Sequence, residues 1–314
     1  MDLGWRGAAA AVTGGSSGMG RAAAECMADD GARVAVLARR AELLDETVAA
    51  LRGRGSPDAI GLAVDVTDAD AVSAAFAEIG ARWGSLNALV NTVGPGDTGT
   101  IDTLSDEGWT RSLELGLMSA VRCTRAALPW LRKAPWARIV NVSAHSTQRQ
   151  TPTLIGYTAA KSALTSMSKN LAKTLAKENI LVNTVSPGTF LSGGVKAWLE
   201  GMAAQRGIDP TSLEDLNRII AEDFGEPSDL GRAGLPDEIG CVIAFLASRR
   251  NSYMTGANVN VVTKSGTNSF HGSAFEFFRN SVLNANTWFR NYQGLRKPLL
   301  NSHQYGGAFG GPIK

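Results

Sequence analysis

The sequence predicts an α/β fold: a doubly wound, parallel sheet of seven strands with helices on both faces, followed by a poorly packed C-terminal extension. Three observations predict it. Short, near-continuous apolar runs alternate with helical segments from residue 8 to residue 262. Strands that are apolar throughout are those of a parallel sheet covered on both faces. The first run stops at a glycine turn that opens a helix, Gly14-Gly15-Ser16-Ser17-Gly18-Met19-Gly20. Finally, the glycine turn, Asp65, Asn91, Ser143 and Pro187-Gly188 all fall at strand carboxyl ends, the edge where open α/β sheets bind ligands.

Residues 8–13 form the first strand, and an alanine-rich helix runs from Arg21 to Asp30. Glycines between strand and helix let the backbone approach a pyrophosphate, while the helix N-terminus offers free N–H groups and a positive dipole end. The spacing is G-x-x-x-G-x-G, and a plain turn is the competing reading. Gly14, Ser16, Ser17, Gly18, Met19 and Gly20 are therefore candidate cofactor-binding residues. The second strand, residues 32–38, ends at Ala38, where an acid would bind a ribose 2′-hydroxyl, and Arg39 follows. A guanidinium there suits a 2′-phosphate, so NADP(H) is expected in preference to NAD(H); a solvated helix start is the alternative.

The third strand, residues 61–66, carries Asp65 and Val66, and Thr67-Asp68 has the character of a helix N-cap. The fourth, residues 87–90, runs into Asn91-Thr92-Val93-Gly94, and residues 107–132 read as one long amphipathic helix. Residues 138–143 form the fifth strand and residues 180–186 the sixth, stopping at Pro187-Gly188. Residues 189–235 are polar and irregular, a functional lid or mobile packing. Leu235-Pro236-Asp237-Glu238 opens a helix with proline and acids in its first turn, and residues 256–262 form the seventh strand.

Between the fifth and sixth strands lies Gly156-Tyr157-Thr158-Ala159-Ala160-Lys161. A tyrosine and a lysine four apart share one helix face, and taken alone such a pair also occurs by chance on solvated helices. An ammonium beside a phenol lowers a pKa of about 10, so that the tyrosine can exchange a proton with a carbonyl or alcohol oxygen near neutrality.

The chain has 314 residues with a net charge of +2 and 44% hydrophobic residues, which points to neither a nucleic-acid nor a membrane-surface partner. Cys26, Cys123 and Cys241 sit far apart in apolar segments and read as buried hydrophobes of a reducing compartment, with no metal or disulfide pattern. The first residues lack a signal peptide's charged and apolar regions, and no apolar run reaches spanning length, so a cytoplasmic chain is expected.

Together these residues resemble the classical short-chain dehydrogenases/reductases over residues 6–262. The likeness rests on the glycine turn, Asp65-Val66, Asn91-Thr92-Val93-Gly94 (N-N-A-G in most members), Tyr157-x-x-x-Lys161, Pro187-Gly188, and the stretch from Leu235 to Gly256. It implies a Rossmann-like domain at 1–262 and reversible hydride transfer between NAD(P)(H) and a small carbonyl or alcohol substrate. Tyr157 would be the acid/base, with Lys161 lowering its pKa and binding the nicotinamide ribose. Ser143 would hold the substrate oxygen, with Ser146 in reserve; His145 is either a polar substrate contact instead or simply exposed. Asp65, Val66, Asn91, Gly94, Pro187, Gly188 and Thr189 would complete the cofactor site. A homodimer or homotetramer through helix 107–132 and the Tyr157 helix is implied as well. Two positions depart from the family. Gly116 stands where an asparagine usually anchors a water relay, and Ala144 stands where the serine usually precedes the tyrosine by thirteen residues. These departures support an alternative, an NADP(H)-binding sensor or scaffold with little or no turnover.

Residues 263–314 hold one acid, six Lys/Arg and nine of the chain's 21 aromatics. Residues 259–273, with Phe275–Asn280 and the glycine-rich 306–312, resemble the plug–barrel junction of TonB-dependent outer-membrane transporters. One or two strands cannot close a barrel. The segment is expected to be a foreign, partly ordered extension with an aggregation-prone Phe275–Phe278.

Overall fold

The computed structural model describes residues 2–94, 97–191, 193–224, 228, 230–261, 271–280 and 301–310. Contacts divide the chain into two units, Met1–Thr263 and Lys264–Lys314. In the first unit, β1 (Ala9–Thr13), β2 (Arg33–Ala38), β3 (Ala59–Ala63), β4 (Ala88–Asn91), β5 (Ala137–Val142), β6 (Ile180–Pro187) and β7 (Asn258–Val261) form one sheet. Its order is β3-β2-β1-β4-β5-β6-β7, and every neighbouring pair is parallel. The predicted α/β doubly wound sheet is therefore present.

The period of two along each strand feeds two cores. On one face Ala10, Val12, Val34, Val36, Val90 and Val140 pack with α1 (Gly18–Asp29), α2 (Ala41–Gly53) and α9 (Pro236–Leu246). On the other, Ala9, Ala11, Ala35, Leu37, Leu89 and Ile139 pack with α3 (Ala69–Trp83), α5 (Ser119–Leu131) and α6 (Ile155–Leu175). Burying a Val, Leu, Ile or Phe side chain is worth about 1.5–3 kcal/mol, and residues such as Phe76, Ile79 and Leu131 are fully enclosed. Local chemistry sets the helix ends. Asp68 caps α3 by accepting from the N–H groups of Asp70 and Ala71. At α9 the Glu238 carboxylate accepts from Leu235 N–H at 2.7 Å and pairs with Arg232. These contacts, Arg232 first, hold its acid down to about 2.

Several expectations need correction. β3 stops at Ala63, because its partner β2 ends at Ala38, the last residue in register. Asp65 and Val66 thus lie on the connection and not in the strand. The long helix expected at 107–132 is present without a gap from Asp106 to Leu131, but a π-helical turn (Glu114–Met118) separates α4 (Asp106–Leu113) from α5. A Cβ at Gly116 would come within 2.8 Å of Ala160 Cβ, so this turn lies hard against α6. The predicted irregular lid contains two helices, α7 (Gly193–Arg206) and α8 (Leu213–Phe224), with a core of Leu199, Ile208, Leu216, Ile219 and Ala233. Cys26 and Cys241 are joined as a disulfide, and only Cys123 fits the reading as a buried free thiol. With the partners separated by 215 positions in sequence, spacing along the chain carried no hint that α1 and α9 would meet.

In the second unit, β8 (His271–Asn280) and β9 (Asn301–Gly310) pair antiparallel along their full lengths. Val262, expected to close the seventh strand, and the rest of the extension lie outside the described residues. No described helix is long and apolar enough to cross a membrane. A chain ended after Thr263 should keep the melting temperature of the full chain to within about 2–4 °C, the shift that 1 kcal/mol makes in a domain of this size. Calorimetry of the two chains checks this, and a larger loss would place the extension within the fold.

Candidate functional site

The strand order reverses between β1 and β4, so the loops leaving those strands part at the sheet's carboxyl edge and leave a crevice. The glycine turn fills one side. Gly14 has φ +66°, and a Cβ on Gly20 would come within 2.6 Å of the Gly14 carbonyl oxygen. The turn is therefore closed to side chains and lets a ligand reach the backbone. The N-cap residue of α1, Ser17, makes no side-chain cap bond, and the first-turn N–H groups of a helix lack intrahelical partners. Ser16 is buried, whereas Ser17, Gly18 and Met19 are half-buried at the crevice. This is a cradle for an anion such as a pyrophosphate, and the chain fits a dinucleotide here.

Thr92, which is no candidate on sequence grounds, joins the two loops. Its hydroxyl donates to Thr13 O at 2.6 Å, and its N–H donates to Thr13 Oγ1 at 3.3 Å. Asn91 is buried beside it, but its side chain braces the scaffold. Its amide donates to Asn141 Oδ1 at 2.8 Å, and Asn141 donates to Ser168 Oγ on α6 at 2.8 Å. Arg39 is exposed after β2; the N–H and hydroxyl of Thr67 lower the Asp65 acid, with a smaller contribution from the Arg39 charge. Val66 is buried, and Gly188 and Thr189 are half-buried just beyond β6, whose last residue is Pro187.

Lys161 is 2% exposed. Its ammonium donates to Val142 O at 2.8 Å and to Val93 O at 3.2 Å, linking the ends of β5 and β4 to α6. Gly94 has φ +154°, and any Cβ there would collide with Lys161 Nζ. Two of the three ammonium protons are thus used, leaving one for a ligand or a phenolate. Tyr157 lies one turn earlier, with Lys161 Nζ 5.9 Å from its ring centre. Burial pushes the lysine down to about 8 and the tyrosine up to about 12. The expected lowering of the phenol is thus reversed in the protein itself. Desolvation disfavours the charged form of each group.

Ser143 does not face the crevice with a free hydroxyl. It is 2% exposed, and its hydroxyl bonds Lys161 O at 3.1 Å and Thr165 Oγ1 at 2.8 Å. Ser143 directly follows β5 and points into the α6 packing, so the register adjustment that would present it is absent. Ser146 stands on the short turn His145–Thr147, half-buried. Its oxygen accepts from Thr158 Oγ1 at 3.0 Å, which leaves its own proton to donate. His145 is beside it, with Nδ1 buried and unpartnered among the described residues.

The pattern of the short chain dehydrogenase family matches residues 8–203. The chain belongs to the short-chain dehydrogenase/reductase family. It is 34% identical over 258 residues to an uncharacterised oxidoreductase of Bacillus subtilis, covering 82% of this chain and 95% of that one. Among solved structures it is similar to L-sorbose reductase from Gluconobacter frateurii in complex with NADPH and L-sorbose. That match has a TM-score of 0.77 at 30% identity, covering 83% of this chain and 97% of that one. Xylitol dehydrogenase bound to NAD+ matches with a TM-score of 0.72 at 25% identity, covering 83% and 100% of the two chains. The protein is therefore an oxidoreductase acting on CH–OH or C=O groups. Residues 262–314 match a pattern described as an outer membrane beta barrel domain, which is broader than a TonB-dependent transporter.

The buried lysine carries a test. Its folded pKa of about 8 lies below the ordinary 10.5, so between those values the unfolded chain holds more protons. Stability contributed by Lys161 therefore rises as pH climbs from about 8 to 10.5 and is least below 8. Lys161→Met should stabilise the fold at pH 7 by ~1–3 kcal/mol, the desolvation less two lost hydrogen bonds. The gain should vanish by about pH 10.5, as denaturant titrations at several pH values would read. A gain that does not change with pH would mean the ammonium is not desolvated.

Proposed function

We propose that the protein is an NADP(H)-dependent carbonyl reductase or alcohol dehydrogenase whose acid/base is Tyr157 and whose oxygen-holding hydroxyl is Ser146 in place of Ser143. The observation that carries this reading is Tyr157 and Lys161 on one face of α6, with the Lys161 ammonium anchored to the ends of β4 and β5 beside the cradle. Gly14, Ser16, Ser17, Gly18, Met19 and Gly20 would hold the pyrophosphate, with Asp65, Val66, Asn91, Gly94, Pro187, Gly188 and Thr189 around the rest of the cofactor. When bound, the nicotinamide supplies the hydride. Tyr157 gives its Oη proton to the carbonyl oxygen, and the phenolate left behind is stabilised by the Lys161 ammonium. The Ser146 hydroxyl donates to the same oxygen as charge grows on it. Arg39 is assigned to the 2′-phosphate of NADP(H). NADPH in the sorbose reductase complex supports that choice, while NAD+ in xylitol dehydrogenase shows that both cofactors occur among similar proteins. The substrate class is a small ketone or secondary alcohol. Residues 263–314 are read as a foreign extension and are assigned no part in the reaction. The binding-only alternative draws no support from these relatives, which are named as oxidoreductases, reductases and dehydrogenases.

NADPH oxidation over a panel of ketoses, 3-oxoacyl thioesters and simple ketones tests the reading. Tyr157→Phe should lower kcat by ~100-fold or more while NADPH still binds. Turnover that survives this change would sink the mechanism. Ser146→Ala should cost ~100-fold in kcat, and Ser143→Ala should act mainly on stability, by ~1 kcal/mol. The opposite ranking of the two serines would return the role to Ser143.

Arg39→Ala should weaken NADPH binding by ~10–100-fold, the worth of a charge-assisted contact, with NADH binding little changed. Calorimetric titration of both cofactors reads this, and equal losses would make Arg39 a plain surface residue.

A further inference from the structure

We propose that Cys26 and Cys241 form a reversible thiol–disulfide modification site that clasps the helix bearing the glycine turn to the helix that follows the lid. The two residues sit on α1 and α9, with Cα atoms 5.7 Å apart, inside the span a disulfide accepts without backbone movement. An independent contact sets that spacing. A Cβ on Gly240 would come within 2.7 Å of the backbone carbon of Ala22 and 2.9 Å of its oxygen, so α9 can approach α1 this closely only because residue 240 is glycine. Ala22 is one turn before Cys26 on the same face of α1, and Gly240 directly precedes Cys241. The helix packing itself therefore delivers the two sulfurs to each other. Cys241 is exposed and Cys26 half-buried, whereas Cys123 is buried and unpaired. Exposed disulfides open and close with the surrounding thiol pool, while enclosed ones resist it.

The oxidant is a low-molecular-weight disulfide. Cys241, exposed, loses its proton to solvent, and its sulfur attacks one sulfur of the external disulfide. That S–S bond breaks and one thiolate leaves. Deprotonated Cys26 then attacks Cys241 Sγ, forming the Cys26–Cys241 bond and expelling the second thiolate. Two cysteine thiols are oxidised, and one external disulfide is reduced to two thiols. The bond closes a loop across a separation of 215 residues and ties the start of the domain to its end. Cross-links over long loops restrict the unfolded chain most.

The test uses the full chain equilibrated in oxidised and then in excess reduced glutathione, and its readouts need no turnover. In oxidised glutathione, the intact mass should fall by two hydrogens with no glutathione adduct, and peptide mapping without reductant should join Cys26 to Cys241. The melting temperature should stand ~5–15 °C above that of the reduced protein. Excess reduced glutathione should undo both changes. Cys241→Ser and Cys26→Ala should each melt like the reduced protein in either buffer. A lasting glutathione adduct, a cross-link without a rise in melting temperature, or a cross-link that excess reduced glutathione leaves intact would each overturn the proposal.

Discussion

The ammonium of Lys161 is a cation held out of water at the carboxyl edge of the sheet, and the rest of the site is arranged around it. It is 2% exposed and held by two backbone carbonyls, one leaving β4 and one leaving β5. A buried charge without partners would be prohibitively costly, so these carbonyls are a condition of the lysine's presence. Gly94 has no side chain because the ammonium occupies the space a Cβ would need. The same lysine's backbone carbonyl takes the Ser143 hydroxyl, so anchoring the cation also turns that serine inward.

A second constraint is the close approach of α6 to the π-helical turn between α4 and α5. Gly116 sits in the π-helical turn with Ala160, the neighbour of Lys161, against it. An asparagine at 116, as the family resemblance would have it, has no room without displacing α6. Further along α6, Ser168 joins the chain of amides from Asn91 through Asn141. Position along α6 is thus set at both ends by small or hydrogen-bonded residues. Tyr157 and Lys161 inherit their placement from that packing.

Much of this is legible in the amino-acid sequence. The alternation of apolar strands and helices, the glycine turn before α1, Asp68 as a cap and Pro236 at the start of α9 are local signals, written in periodicity and backbone preference. The shared edge of the candidate residues follows from the parallel order. Expectations fail where they depend on partners distant in sequence. Cys26 and Cys241 look like isolated hydrophobes until α1 meets α9. Ser143 looks available until α6 packs on it. Residues 189–235 look irregular because their small core draws on residues as far apart as Leu199 and Ala233.

The sequence by itself determined the fold class, the carboxyl edge of the sheet as the place of the candidate residues, and the chemical inventory along it, because strand and helix patterns, glycine turns and caps act over a few residues. Only the tertiary structure decided what each group could do there. A hydroxyl's direction, a phenol's pKa and the meeting of two thiols depend on which elements close over them. Burial moved Tyr157 and Lys161 away from their charged forms, and packing gave the free hydroxyl to Ser146. Desolvation and close contact are properties of the assembled core, and no spacing along the chain records them.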